Sequence, residues 1–341
     1  MSAYLTYLFF LTFCLIFFNK YLTYKKFLIS ETGDEHQKFA SKINTPLTGG
    51  ILIFMSLIYL LDKLEIFFLL FSFMIFVLGI LSDMKFFRSA KLKLFLQILI
   101  IIFFVILSET QIIDTRVYLL DKLLTNTYFN YVFVIFCILI VVNGSNFFDG
   151  LNTLSIGYYL LISALLFNLN FNQEIYIDNF LLINLIFVLT ITFILNLLNK
   201  VFLGDSGSYL LGFIFAIFLI NIYKQNTHIS PFFIILLLWY PSFELLFSMI
   251  RKGTLKSSAL EPDSNHLHQL VFYFLKKKNS LKVFSANLLS ANLINAYNLI
   301  IFLISMNNIT NTQLQLILIL LNLMIYTVIY LKLFIFRYRR I

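Results

Sequence analysis

Charge is scarce in this chain. Only 12% of its 341 residues are Asp, Glu, Lys or Arg, against roughly a quarter in a soluble domain, which excludes an ordinary water-soluble fold. Cysteine is nearly absent: Cys14 and Cys137 both fall inside apolar runs, spaced for neither metal nor redox work, and read as core filler. No low-complexity linker, soluble domain or internal repeat is evident. Basic residues are not interleaved with aromatics in the manner of an RNA-binding surface, so the net charge of +9 points to anionic lipid and membrane insertion instead of nucleic acid. The first apolar run has no basic residue ahead of it and no small-residue cleavage site behind it, and reads as a retained helix, not a signal peptide.

What fills the chain is hydrocarbon. Hydrophobic residues make up 60% of it, with 42 phenylalanines, and the mean hydropathy is +0.91. Apolar runs long enough to cross a bilayer recur near 3–19, 47–61, 66–81, 94–108, 129–142, 154–168, 179–196, 207–222, 229–249, 283–305 and 313–335. Lipid offers no hydrogen-bond partners, so spans are helices or a closed barrel. These runs are continuously apolar instead of alternating, which selects helices. The expectation is an all-α integral membrane protein of about eleven transmembrane helices, a single polytopic domain over 1–341.

All but Lys63, Arg116, Lys122 and Lys224 of the 25 basic residues fall on one face of that topology. The positive-inside rule makes it the cytoplasmic face, with the N-terminus outside and the C-terminus in the cytoplasm. The polar clusters share this face: NTPLTGG (44–50), LSDMKFFRSAKLK (81–93), NGSNFFDGLNTL (143–154), FLGDSGS (202–208) and EPDSNHLHQL (261–270). Any one of them is explained by caps and turns, since Asp149-Gly150 and Asp205-Ser206 are ordinary turn formers. Five together on one face suggest more. Asp205 with Asn146 or Asp149 supplies the hard oxygens that suit Mg²⁺ while leaving room for phosphate. Lysines, histidines and glycine-framed N–H groups around such an ion describe a phosphoryl-transfer centre at the membrane surface.

The order TPLTGG, KLFLQ (93–97), NGSNFFDGLNTL, FLGDSGS and PDSNHLH (262–268) resembles the polyprenyl-phosphate N-acetylhexosamine-1-phosphate transferases. These integral-membrane enzymes start O-antigen, enterobacterial common antigen, teichoic acid and peptidoglycan lipid intermediates. The resemblance implies transfer of a sugar 1-phosphate from a UDP-N-acetylhexosamine to polyprenyl (undecaprenyl) phosphate, with release of UMP. It also implies a requirement for Mg²⁺, or Mn²⁺, an inner-membrane location with the site facing the cytoplasm, a glycan product such as O-antigen or capsule, and possible homodimerisation. The cytoplasmic loops 20–46, 82–93, 143–153, 197–206 and 250–282 would form the site.

Residue by residue, the resemblance makes Asp205 a metal ligand and Asn146 a second one, with Asp83, Asp149 and Asp205 as the catalytic acids. Phe202 corresponds to the ring that stacks near uracil, His266 and His268 to the histidines that hold the diphosphate, and Asn143 to a substrate-binding residue. Lys93 is placed either to contact phosphate or to snorkel. Gly49 and Gly50 would let a helix start approach the substrate. Glu244, the one acid placed within a span, suits a family position often occupied by Asp in the active-site cleft. Three departures stand out: Ser82-Asp83 where the family commonly has Asp-Asp, Ser264 where Arg is usual, and Gln269 in place of a third histidine. Either a divergent sugar specificity or an inactive paralogue accounts for them. A secondary transporter is the reading from another class, and it predicts several acids within spans.

Overall fold

The computed structural model describes residues 2–30, 44–87, 89–177, 179–254, 265–279 and 281–338. Ser264, and the Pro262-Asp263 start of the histidine motif, lie outside the described residues. Helices account for every regular element among the described residues, and the sole bridge joins Ile29 to Pro46. In chain order they are α1 (Ser2–Lys25), α2 (Gly49–Ile58), α3 (Ile66–Asp83), α4 (Ala90–Leu107), α5 (Tyr118–Leu124), α6 (Thr127–Phe148), α7 (Leu154–Phe171), α8 (Asn179–Leu197), α9 (Gly204–Gln225), α10 (Pro231–Leu237), α11 (Trp239–Thr254), α12 (Leu267–Asn279), α13 (Val283–Met306) and α14 (Thr312–Tyr338).

Among the described residues nine of these are long and apolar enough to cross a membrane, and α10 with α11, bent by 72°, passes the same test as a pair, as a broken span or a re-entrant loop. Pro231 starts α10 behind a Ser230 cap, and the bend falls at Leu238, between the two helices. The remaining apolar segment differs from the expectation of eleven full spans. Its helix α2 has 10 residues, or about 15 Å, half of a hydrocarbon core. The segment still runs the length of the bundle. Gly49 meets Phe202 and Leu203 at the start of α9, while Lys63 lies over the Phe180 ring at the start of α8, 4.3 Å from its centroid.

The organising element is α9, buried along almost its whole length. With no hydrophobic drive between helices in lipid, close backbone approach and buried hydrogen bonds hold the bundle. A Cβ on Gly79 of α3 would stand 2.3 Å from Ser206 Cα, and one on Gly50 of α2 would stand 2.5 Å from Gly207 N. On α6, a Cβ at Gly144 would strike the Pro241 carbonyl of α11 at 2.3 Å. Buried amides add directional contacts: Asn184 Nδ2 donates to the Ser56 carbonyl at 2.8 Å, and Trp239 Nε1 donates to Asn298 Oδ1 at 2.9 Å. At the opposite end of α9, Arg116 donates to the Ile229 carbonyl at 2.7 Å and the Thr310 carbonyl at 3.0 Å, pinning two loops together. The effect is to bring the ends of α3, α6 and α11 to the N-terminal end of α9.

Candidate active site

The N-terminus of α9 is built around a conformational constraint. Gly204 has φ +72°, and a Cβ there would meet Asp83 Oδ2 at 2.7 Å, so only glycine fits. That backbone turn aims the first N–H groups of α9 at the end of α3. Asp83 Oδ1 accepts from Asp205 N at 2.8 Å and Asp83 Oδ2 from Ser206 N at 3.0 Å. A carboxylate at a helix N-terminus satisfies otherwise orphaned donors and complements the helix dipole.

Asp205 is thereby turned outward, with 29% of its side chain exposed. Asn146 Nδ2 donates to its Oδ1 at 2.7 Å and to Ser208 Oγ at 3.1 Å. Ser82 Oγ donates to Oδ2, Tyr209 OH lies 3.5 Å from that oxygen, and Lys93 Nζ lies 3.7 Å from it. Lys93 therefore reaches into the cluster. The residue that replaces the family's first acid supplies a hydroxyl donor where a carboxylate would have added a like charge.

Asp149 follows the last residue of α6, its backbone N–H donating to the Asn146 carbonyl at 3.3 Å. Burial pushes its carboxyl well above the usual range, and the charges of Asp205 and then Asp83 push in the same direction. Gly150 beside it carries the histidine segment: a Cβ there would strike His268 Nε2 at 2.3 Å. His268 stacks on His266 with ring centroids 5.7 Å apart, and His266 meets the edge of Phe147 at 5.2 Å. Asn146, Phe147 and His266 thus form a continuous run from the acidic cluster to the histidines. Gln269 also has a place, its Oε1 accepting from the His266 backbone N–H at 3.1 Å.

Four residues singled out in the sequence sit apart from that run, and a fifth, Glu244, reaches it through His266. Asn143 lies one turn back on α6 and donates to its own helix, at the Leu139 carbonyl, 3.0 Å away. Gly49 and Gly50 approach protein and not an open cleft: a Cβ on Gly49 would lie 2.9 Å from Leu203 Cα. Phe202 is tied by its backbone, donating to the Pro46 carbonyl at 2.8 Å and accepting from Gly49 N at 3.0 Å. Glu244 is buried and bonded to His266, so it supports the histidines instead of lining the cleft. Sequence reading missed Ser208 and Tyr209, although their spacing of three and four from Asp205 puts all three on one helical face.

Among the described residues no three His, Cys, Asp or Glu side chains gather closely enough to enclose a metal. The donor set is smaller: one reachable carboxylate, Asp205, beside one amide, Asn146, whose Oδ1 remains as an acceptor. That set suits a hard cation completed by water and phosphate oxygens.

Residues 66–223 match the model of glycosyl transferase family 4. The chain is 28% identical over 251 residues to an undecaprenyl-phosphate alpha-N-acetylglucosaminyl 1-phosphate transferase of Thermotoga maritima, covering 73% of this chain and 75% of that protein. It is likewise 28% identical to a probable undecaprenyl-phosphate N-acetylglucosaminyl 1-phosphate transferase of Bacillus subtilis, over 60% of this chain and 57% of the relative. A phospho-N-acetylmuramoyl-pentapeptide-transferase of Dictyoglomus turgidum is 32% identical over 53% of this chain and 61% of its own. The matched region contains Ser82, Asp83, Lys93, Asn146, Asp149 and Asp205. These residues lie in the segment, just under half of the chain, that is similar to glycosyl transferase family 4.

Proposed function

We propose that this protein transfers an N-acetylhexosamine 1-phosphate from a UDP-sugar to polyprenyl phosphate, releasing UMP at the cytoplasmic face of the membrane. The observation that carries the proposal is the convergence of Asp205, Asn146, Ser82 and Lys93 on the N-terminus of α9. The transferases among its relatives support the same reading. A phosphate oxygen of the lipid attacks the sugar-bearing phosphorus of the donor, the diphosphate P–O bond to the uridylyl phosphate breaks, and UMP leaves with the electron pair. Both reactants are anions, so the site's first task is to offset their repulsion.

Asp205 and Asn146 would hold Mg²⁺, which supplies neutralising charge to the phosphate oxygens. Lys93 adds a mobile positive charge beside Asp205. His266 and His268 would bind the donor's diphosphate, and Asp149 its nucleotide. Asp83 fixes the helix that presents Asp205, and both of its oxygens are already accepting backbone N–H groups. No base is needed to create the nucleophile, because a phosphate monoester is largely ionised at neutral pH. Asp83, Asp149 and Asp205 lie at the ends of α3, α6 and α9, whereas a secondary transporter would carry its acids near midspan.

The basic loops on this face support a cytoplasmic orientation, with a soluble nucleotide sugar meeting a lipid phosphate at the bilayer surface. The test is to incubate purified protein with undecaprenyl phosphate, Mg²⁺ and a panel of UDP-N-acetyl sugars. Acceptor-dependent UMP release is the expected result, and a folded preparation that releases none with any donor overturns the proposal.

A further inference from the structure

The histidine segment is held by groups that play no part in the transfer as drawn above. Glu244 of α11 is 1% exposed. Its Oε1 meets His266 Nδ1 at 2.9 Å and accepts from the Leu267 N–H at 3.3 Å. Its Oε2 accepts from Tyr326 OH at 2.9 Å. An ionised carboxylate this deep persists only when its oxygens are satisfied, and three donors from α14 and the histidine segment do so.

The same helix α14 grips the residue just before the histidines. Arg337 Nη1 and Tyr338 OH both donate to Asn265 Oδ1, at 3.0 and 2.8 Å. Arg251 of α11 donates to the Asn265 carbonyl at 3.2 Å and to Tyr330 OH at 3.1 Å. Two helices beyond the matched residues 66–223 thus converge on one side of a five-residue stretch, Asn265–Gln269. The other side of that stretch faces Phe147 and Gly150 of the acidic loop.

The hydrogen bond has a directional consequence. A carboxylate can only accept, so His266 Nδ1 carries the proton and Nε2 is the edge left over. Among the described residues, charged or titratable groups around the segment include His268, stacked on His266, Lys252, 5.7 Å from the Phe147 centroid, and Arg251, on the Asn265 carbonyl. Glu244 Oε1 is the group bonded at Nδ1.

We propose that Glu244, braced by Tyr326, is the positioning residue of the histidine segment: it fixes His266 by Nδ1 so that Nε2 is the ring edge presented to an anionic phosphate, which it binds when that nitrogen carries a proton. This deepens the transferase reading and takes the donor diphosphate from it, but the hydrogen-bond geometry stands independently.

The experiment uses full-length protein in nanodiscs with ¹⁵N-labelled histidine rings, the His266 signals being assigned by their loss in His266→Gln. Wild type should show its ring proton on Nδ1 in the neutral tautomer. Glu244→Gln should lower the share of neutral ring that carries its proton on Nδ1 and weaken UDP binding about tenfold. Glu244→Asp should recover part of both. Tyr326→Phe, which removes a single hydroxyl, should shift both in the same direction by less, and serves if Glu244→Gln does not fold. A wild-type ring protonated only at Nε2 overturns the proposal, as does an unchanged His266 pattern in a folded Glu244→Gln protein. The expected tautomer in a wild-type protein that binds no UDP overturns the phosphate as its ligand and the transferase reading together.

Discussion

The carboxylate of Asp83 accepts two backbone N–H groups of α9, from Asp205 at 2.8 Å and Ser206 at 3.0 Å. One acid at the end of α3 thus spends both oxygens anchoring the helix that presents the other, and this division separates stability from chemistry. Asp83→Ala leaves two helix-terminal donors without a partner in a half-buried site, at a cost of about 1–3 kcal/mol. Its melting temperature should fall in metal-free buffer. Asp205→Asn keeps the shape and removes the repulsion between the two acids, so its melting temperature should stay level or rise. Thermal melts of both variants in EDTA check the contrast, and equal losses would place both acids in the same role.

Ser82 makes a second case. Its hydroxyl donates to Asp205 Oδ2, a bond that a carboxylate at neutral pH has no proton to make. Ser82→Asp sets two carboxylates against each other, so the variant should melt lower than wild type in EDTA. Added Mg²⁺ should raise its melting temperature by more than it raises that of wild type, because the cation then offsets the added charge. A wild-type melt in EDTA would mean that the Ser82–Asp205 contact carries no weight.

Glycine contacts govern the packing. Gly79→Ala places a methyl 2.3 Å from Ser206 Cα, where backbone and not a flexible side chain must yield. The expected loss is about 1–3 kcal/mol, seen as a lower melting temperature and reduced yield of folded protein. Gly253→Ala is the control: nothing lies within 4 Å of its Cβ position, and a helical alanine in open space is neutral or slightly stabilising.

Orientation is open to a direct test with cysteine variants. Lys277→Cys lies in the last turn of α12, within the basic stretch assigned to the cytoplasm, and Lys122→Cys lies on the face poor in basic residues. In intact cells a membrane-impermeant maleimide should label the second and spare the first until lysis. The reverse pattern would invert the topology.

Much of this architecture is written locally. Long apolar runs give the spans, and Gly204, Asp205, Ser206 and Gly207 announce a helix start with a special turn. Long-range pairing is not written locally. Nothing near Asp83 in sequence tells that its partners are 122 and 123 residues away, so an acid bound to backbone reads like an acid free for chemistry. Glu244 has the same ambiguity: an acid in a span signals function by default, and only the fold shows it bonded to His266 and Tyr326. Tyr326 and Tyr330 recur four residues apart in a mostly apolar helix, a spacing that marks one polar stripe without naming what it grips. The brevity of α2 was hidden because its apolar pattern continues past Ile58 through Tyr59, Leu60 and Leu61 into a turn.

The central claim is that Asp205, held outward by Asp83 and flanked by Asn146 and Lys93, carries the transfer. The most direct measurement is UMP release by Asp205→Asn beside wild type, with undecaprenyl phosphate, the active UDP-sugar and Mg²⁺, in preparations with matched melting temperatures. The account predicts a loss of at least about 100-fold in turnover. Turnover within a few-fold of wild type would contradict it.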